Sequence, residues 1–220
     1  MAIAIKICGL TTPEAADATI RAGAAFGGLM FFARSPRFLQ REQAKALAAR
    51  LRGRVRIVAV FADASDAEIA EAVDATDPDL LQLHGGETPA RVSELRTRFT
   101  RPIIKALAVS DRADLEKARA YDAADFFLFD ARAPAGATRP GGLGAAFDWT
   151  IMSSLSTRRP WLLAGGLTVE NVGRAIAMSG AQMVDVSSGV EDKPGHKSPE
   201  KIAAFAAAVR AAGAGSETAA

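Results

Sequence analysis

The sequence predicts an α/β protein folded as a single (β/α)8 barrel, parallel strands inside and helices outside. Three observations predict it. Eight short apolar runs recur along the 220 residues, alanine-rich stretches with helical periodicity separate them, and no linker divides the chain. A doubly wound open sheet accounts for the alternation almost as well, but the count of β-α units favours the closed barrel.

The runs occupy residues 4–8, 26–32, 55–61, 80–84, 102–106, 126–130, 161–165 and 183–187. Each is brief, rich in Ile, Val, Leu or Phe, and bounded by breakers, as a buried parallel strand is. Helix starts follow from Thr12-Pro13-Glu14, Thr88-Pro89 and Ser198-Pro199-Glu200, where a hydroxyl cap precedes a proline at the first helical position. Thr168 reads as a further cap, and Gly23 and Gly180 as C-terminal stops. The Gly/Pro-rich stretch 132–144 falls where the loop after the sixth strand belongs. The barrel is expected over residues 1–210, with a frayed small-residue tail over 211–220.

Charge and composition narrow the function. Lys plus Arg number 27 against 25 Asp plus Glu, and a net charge of +2 leaves no electrostatic footprint for nucleic acid or an anionic membrane. One cysteine cannot form an internal disulfide, and no apolar run approaches the ~20 residues that span a bilayer. The start, MAIAIKICGL, lacks a basic region and a cleavage site. These numbers predict a soluble, cytoplasmic protein; the glycine loops after the seventh and eighth runs, not the composition, add a small phosphorylated molecule as its partner, and a monomer or homodimer is expected.

In such barrels chemistry sits at the C-terminal strand ends. Alternation sets Lys6 and Cys8 on one face of the first run and Ile5 and Ile7 on the other, so Cys8 is expected to point into the mouth. Asp130 ends the run Phe126-Phe127-Leu128-Phe129, and a carboxyl beside so much apolar surface suits a general acid. Alone, neither decides: a single strand-end Cys is more often a small buried hydrophobe, and an Asp there is as often a cap. Gly165-Gly166 and Ser188-Gly189 follow the seventh and eighth runs, where backbone N–H groups approach a phosphate in this architecture. Arg34 or Arg37 offers a fork for a carboxylate, or is a solvated loop arginine. Gln82 with His84, and Asp185 with Ser187, share strand faces and either touch substrate or satisfy hydrogen bonds of the mouth. Cys8, His84 and His196 lack metal-ligand spacing, and Gly141-Gly142-Leu143-Gly144 lacks the dinucleotide fingerprint, so no metal and no cofactor are expected.

Taken in order, the blocks Lys6–Thr11, Arg34–Arg37, Leu81–Gly85, Phe147–Trp149, Ala164–Leu167 with Asn171-Val172, and Val184–Glu191 resemble the phosphoribosylanthranilate isomerase family of tryptophan biosynthesis. The resemblance implies a one-domain barrel that catalyses an Amadori rearrangement, with Cys8 as general base and Asp130 as general acid. It further implies Arg37 on the anthranilate carboxylate, the glycine loops on the phosphate, and His84 and Asp185 in the pocket. The base role asks that the Cys8 thiol fall from a free pKa of ~8.5 toward neutrality, helped by Lys6 or the loop arginines. Two departures touch loop closure and affinity: Leu143 stands in the Gly-Gly-x-Gly loop without the usual adjacent Thr, and Lys197-Ser198 replaces Lys-Asp. Two alternatives remain. A histidine-pathway isomerase would carry Asp where Cys8 stands, and a non-catalytic phosphate-binding barrel would have little use for Cys8, Asp130 and Arg37 together.

Overall fold

The computed structural model describes residues 2–132 and 147–215. Eight parallel strands close in sequence order, with the last pairing the first: β1 Ala4–Cys8, β2 Phe26–Met30, β3 Arg56–Phe61, β4 Leu80–Leu83, β5 Ile103–Val109, β6 Phe126–Ala131, β7 Trp161–Leu163 and β8 Met183–Val186. Around them run α1 Pro13–Arg21, α2 Arg41–Leu51, α3 Asp66–Thr76, α4 Pro89–Phe99, α5 Arg112–Glu116, α6 Val172–Ser179 and α7 Pro199–Gly215. A short antiparallel hairpin, β9 Glu191–Lys193 and β10 His196–Lys197, stands between β8 and α7.

Strand alternation sorts the core into two layers. Ile5, Ile7, Leu29, Phe127, Phe129 and Val184 face outward and meet helix residues such as Ala15, Leu47, Leu51, Val172 and Phe205. The interior is filled by Phe26, Val58, Val60, Leu80, Ile104, Leu128 and Leu162, a packed plug rather than a pore. Its upper layer turns polar, with Lys6, Gln82, Asp130 and Asp185 all buried.

The helix starts follow the chemistry of their caps. Thr12 and Thr88 accept hydrogen bonds from Ala15 N and Arg91 N, and Ser198 Oγ accepts from Lys201 N. Gly180 closes α6 in the left-handed region at φ 71°. Thr168 departs from expectation. The chain turns for four residues before α6 begins at Val172, because Asn171 claims the loop: its Oδ1 accepts from Thr168 N and its Nδ2 donates to Gly166 O, both at 2.8 Å. After β6, the described chain offers only a 3-10 turn at Trp149–Ser154, started by Asp148. Residues 133–146, including Leu143, lie outside the described residues. Helix α7 continues through Gly215, past the 210/211 boundary at which a tail was expected. No described helix is long and apolar enough to cross a membrane.

Candidate active site

The polar layer lies at the C-terminal mouth of the barrel. The β1–β8 register sets Lys6 opposite Asp185, and Lys6 Nζ donates to Asp185 Oδ1 at 2.7 Å with no exposure of its own. Burial pulls the Lys6 ammonium down, but Asp185 and Cys8 outweigh it and hold the group above the ordinary lysine value. Cys8 does face the interior, as alternation requires. Glycine at position 28 makes room for it, since a Cβ there would stand 3.0 Å from Cys8 Sγ and 3.4 Å from Lys6 Nζ.

The expected fall of the Cys8 thiol toward neutrality needs correction. Burial pushes it up, Asp185 adds to the push, and the pull from Lys6 and Lys197 does not offset them. The cation is where the sequence placed it. Burial of the thiol outweighs its pull.

On the opposite side, His84 follows β4 and Asp130 lies near the end of β6. His84 Nε2 lies 3.1 Å from Asp130 Oδ2, and Gln82 Nε2 lies 2.8 Å from His84 Nδ1. Asp130 is thus not set in the purely apolar surroundings that its run implied. Its other oxygen, Oδ1, sits beside Gly165, where an added Cβ would come within 3.2 Å of it.

Arg37 is buried, and its fork is engaged. Nε donates to Glu191 Oε1 at 2.7 Å and Nη2 to Glu191 Oε2 at 2.8 Å. Among the described residues Nη1 is the guanidinium nitrogen left to meet a ligand, so the free carboxylate clamp expected of Arg37 is corrected to a partly committed one. Lys197 Nζ completes the cluster, donating to Glu191 Oε1 at 2.6 Å and to Ser187 O at 3.1 Å. Burial, with Arg37 nearby, brings Lys197 down to about 8 although Glu191 opposes the shift. Burial pushes the Glu191 carboxyl up, yet Arg37 and Lys197 hold it below its usual range. Ser187 Oγ in turn donates to Cys8 O at 3.0 Å, which ties this cluster to the end of β1.

The two glycine loops interlock. Gly165 and Gly166 have φ of 87° and 61°, and a Cβ on Gly165 would press within 2.6 Å of Ala131 N. A Cβ on Gly189 would overlap Leu167 O, so the loop after β8 lies directly on the loop after β7. Ser188 opens the intervening 3-10 turn, Ser188–Val190. Cys8, His84, Asp130, Asp185, Arg37 and the two glycine loops therefore all lie at the C-terminal end of the barrel. Sequence reasoning missed Glu191 and Lys197 as site members. Arg34, the other candidate arginine, is exposed. Among the described residues no three His, Cys, Asp or Glu side chains converge as metal ligands.

Comparison with known proteins decides what this mouth belongs to. The family model described as N-(5'phosphoribosyl)anthranilate (PRA) isomerase matches residues 5–208. The chain belongs to that family. Among its relatives in the PRA isomerase family, one from Rhodopseudomonas palustris is 51% identical over 96% of this chain and 97% of its own. Another, from Cereibacter sphaeroides, is 49% identical over 94% and 99%. The crystal structure of the Thermotoga maritima PRA isomerase superposes with a TM-score of 0.85 at 33% identity, covering 95% of this chain and 99% of that one. A PRA isomerase in complex with reduced 1-(o-carboxyphenylamino)-1-deoxyribulose 5-phosphate superposes at 0.82 and 31% identity, with the same coverage. Like these relatives, this PRA isomerase family member is a closed eight-stranded barrel and an isomerase by kinship.

Proposed function

We propose that this chain converts N-(5'-phosphoribosyl)anthranilate to 1-(2-carboxyphenylamino)-1-deoxyribulose 5-phosphate, with Asp130 as general acid and Cys8 as general base. The observation that carries the reading is the placement of these two groups in the same barrel mouth, at the ends of β6 and β1. Asp130 delivers a proton to the ribose ring oxygen as the C1–O bond breaks and the anthranilate nitrogen lone pair forms a C1=N Schiff base. Cys8 then removes the proton from C2. The resulting enolamine takes a proton at C1, and the enol becomes the C2 ketone. The sequence moves protons and one double bond within a single molecule, so it balances with no external oxidant or reductant, and we assign it no cofactor.

Supporting groups fit the substrate's two charged ends. The interlocked loops at Gly165-Gly166 and Ser188-Gly189 present backbone at the seventh and eighth strand ends, where the barrel architecture receives phosphate. Arg37 Nη1 remains for the anthranilate carboxylate, with Asp185 and His84 lining the space between. The thiol needs help to ionise, and Lys6 and Lys197 are the two cations that pull it down. A pathway enzyme of this kind, with one unpaired cysteine, belongs in the cytoplasm.

The test is loss of substrate fluorescence from freshly generated phosphoribosylanthranilate, with purified protein and no added metal or cofactor. Cys8→Ala and Asp130→Asn are each expected to lose about 10²- to 10⁴-fold in kcat while substrate still binds. Near wild-type turnover in either variant removes that residue's assigned role.

A further inference from the structure

Gln82 is a buried polar side chain of the mouth that the mechanism above does not use. It lies inside β4 with no exposure, and among the described residues its Oε1 finds no hydrogen-bond partner. A buried, unpaired amide oxygen lowers stability, and an apolar residue of the same size would fill the site at no such cost. Its Nε2 does have a partner, His84 Nδ1 at 2.8 Å.

We propose that Gln82 is a positioning residue that acts through His84 to fix which oxygen of Asp130 carries the transferable proton. The inference rests on Asp130 being the general acid. An amide nitrogen only donates, so His84 Nδ1 accepts, and the neutral imidazole carries its single proton on Nε2. That N–H faces Asp130 Oδ2 at 3.1 Å and donates to it. Oδ2 is thereby held as an acceptor whether or not the carboxyl is protonated. The proton then belongs on Oδ1, the oxygen that packs against Gly165 of the phosphate loop, an approach that only the absence of a side chain there permits.

Reversing the amide would undo this arrangement. Oε1 would take a hydrogen bond from His84 Nδ1–H, His84 Nε2 would offer a lone pair to Oδ2, and both amide N–H donors would be left without this partner where one is used now. The Oδ1 proton would then compete with a site on Oδ2 that faces His84 instead of the substrate.

The chain has two histidines, His84 and the exposed His196, so His196→Gln leaves one imidazole to observe. In that background, ¹⁵N-histidine NMR is expected to show the proton on Nε2. Gln82→Glu, whose carboxylate only accepts, is expected to move it to Nδ1. Gln82→Met is expected to lower kcat about 10- to 100-fold with KM within about threefold, as loss of an orienting partner does. Its melting temperature should stay close to wild type, because the unpaired oxygen and the bond to His84 Nδ1 are lost together. A resting Nδ1–H tautomer overturns the proposal. So does a Gln82→Met enzyme with kcat within about threefold of wild type, or one whose kcat loss tracks a loss of thermal stability. Wild-type turnover in Asp130→Asn refutes the acid assignment itself, whereas an inactive Asp130→Asn beside a fully active Gln82→Met refutes Gln82 alone.

Discussion

The Lys6–Asp185 pair is buried at both ends, with Lys6 at 0% and Asp185 at 8% side-chain exposure, and its 2.7 Å bond links the first strand to the last. Lys6→Met keeps the length of the side chain and removes its charge, leaving Asp185 without its cation in the barrel interior. Breaking a buried pair from one side costs about 3–5 kcal/mol. For a chain of this length each kcal/mol moves the melting temperature by about 2–4 °C, so a fall of about 6–20 °C is expected. Urea denaturation should give the same loss at 25 °C, and the double variant Lys6→Met with Asp185→Leu should recover most of it, because no stranded charge remains. The substitution carries a chemical signature too. Lys6 is the leading pull against burial on Cys8, the sole cysteine, so alkylation by iodoacetamide should require a higher pH in Lys6→Met than in wild type. A Lys6→Met protein within 1 kcal/mol of wild type, with an unchanged alkylation profile, would refute the view that this pair closes the barrel and biases the thiol.

Two further outcomes are expected. Gly189→Ala forces its methyl onto Leu167 O and should cost about 1–3 kcal/mol, with KM for the phosphorylated substrate rising more than kcat falls; steady-state kinetics and a urea melt check both. The pH dependence turns on Lys197, held down to about 8 against about 10.4 for an unfolded lysine. Between those values the unfolded chain binds the extra proton, so this group makes stability rise with pH. Cys8, raised by burial, acts in the opposite sense above its unfolded value, so the comparison that isolates Lys197 is wild type against Lys197→Met by urea melts from pH 7 to 11, with the rise missing in the variant.

Strand content was legible because it is local. Alternation within Lys6-Ile7-Cys8 and Gln82-Leu83-His84 already fixes which side chains meet inside a closed barrel, and the hydroxyl-Pro starts at Thr12, Thr88 and Ser198 announce themselves. Thr168 misled because a cap signal says nothing about a competing partner, and Asn171 three residues on supplied one. Glu191 and Lys197 were hidden for a different reason. Arg37 meets Glu191 across 154 positions, a separation on which no periodicity bears. The signal present in the chain was weaker: a lysine immediately before the Ser198-Pro199 start, in a stretch that also contains a glycine turn. Likewise the state of Cys8 depends first on its burial and then on the opposed pulls of Lys6 and Asp185, which the β1–β8 register brings together.

The cluster around Glu191 bears on how such barrels are altered. Arg37 comes from the loop after β2, Glu191 and Lys197 from the hairpin after β8, and Thr11 from the loop after β1 reaches Gly195 O at 2.7 Å. Gly195 also lies so near the second loop that a Cβ would stand 2.5 Å from Pro36 O. Two successive loops near the N-terminus and a hairpin near the C-terminus thus form one wall, and none is an independent module. A graft that swaps a single loop from a relative would strand a buried guanidinium or carboxylate. Recombination that preserves this side of the mouth has to carry both ends of the chain together, so it has to exchange an inner segment between two crossovers, with both ends kept from one parent.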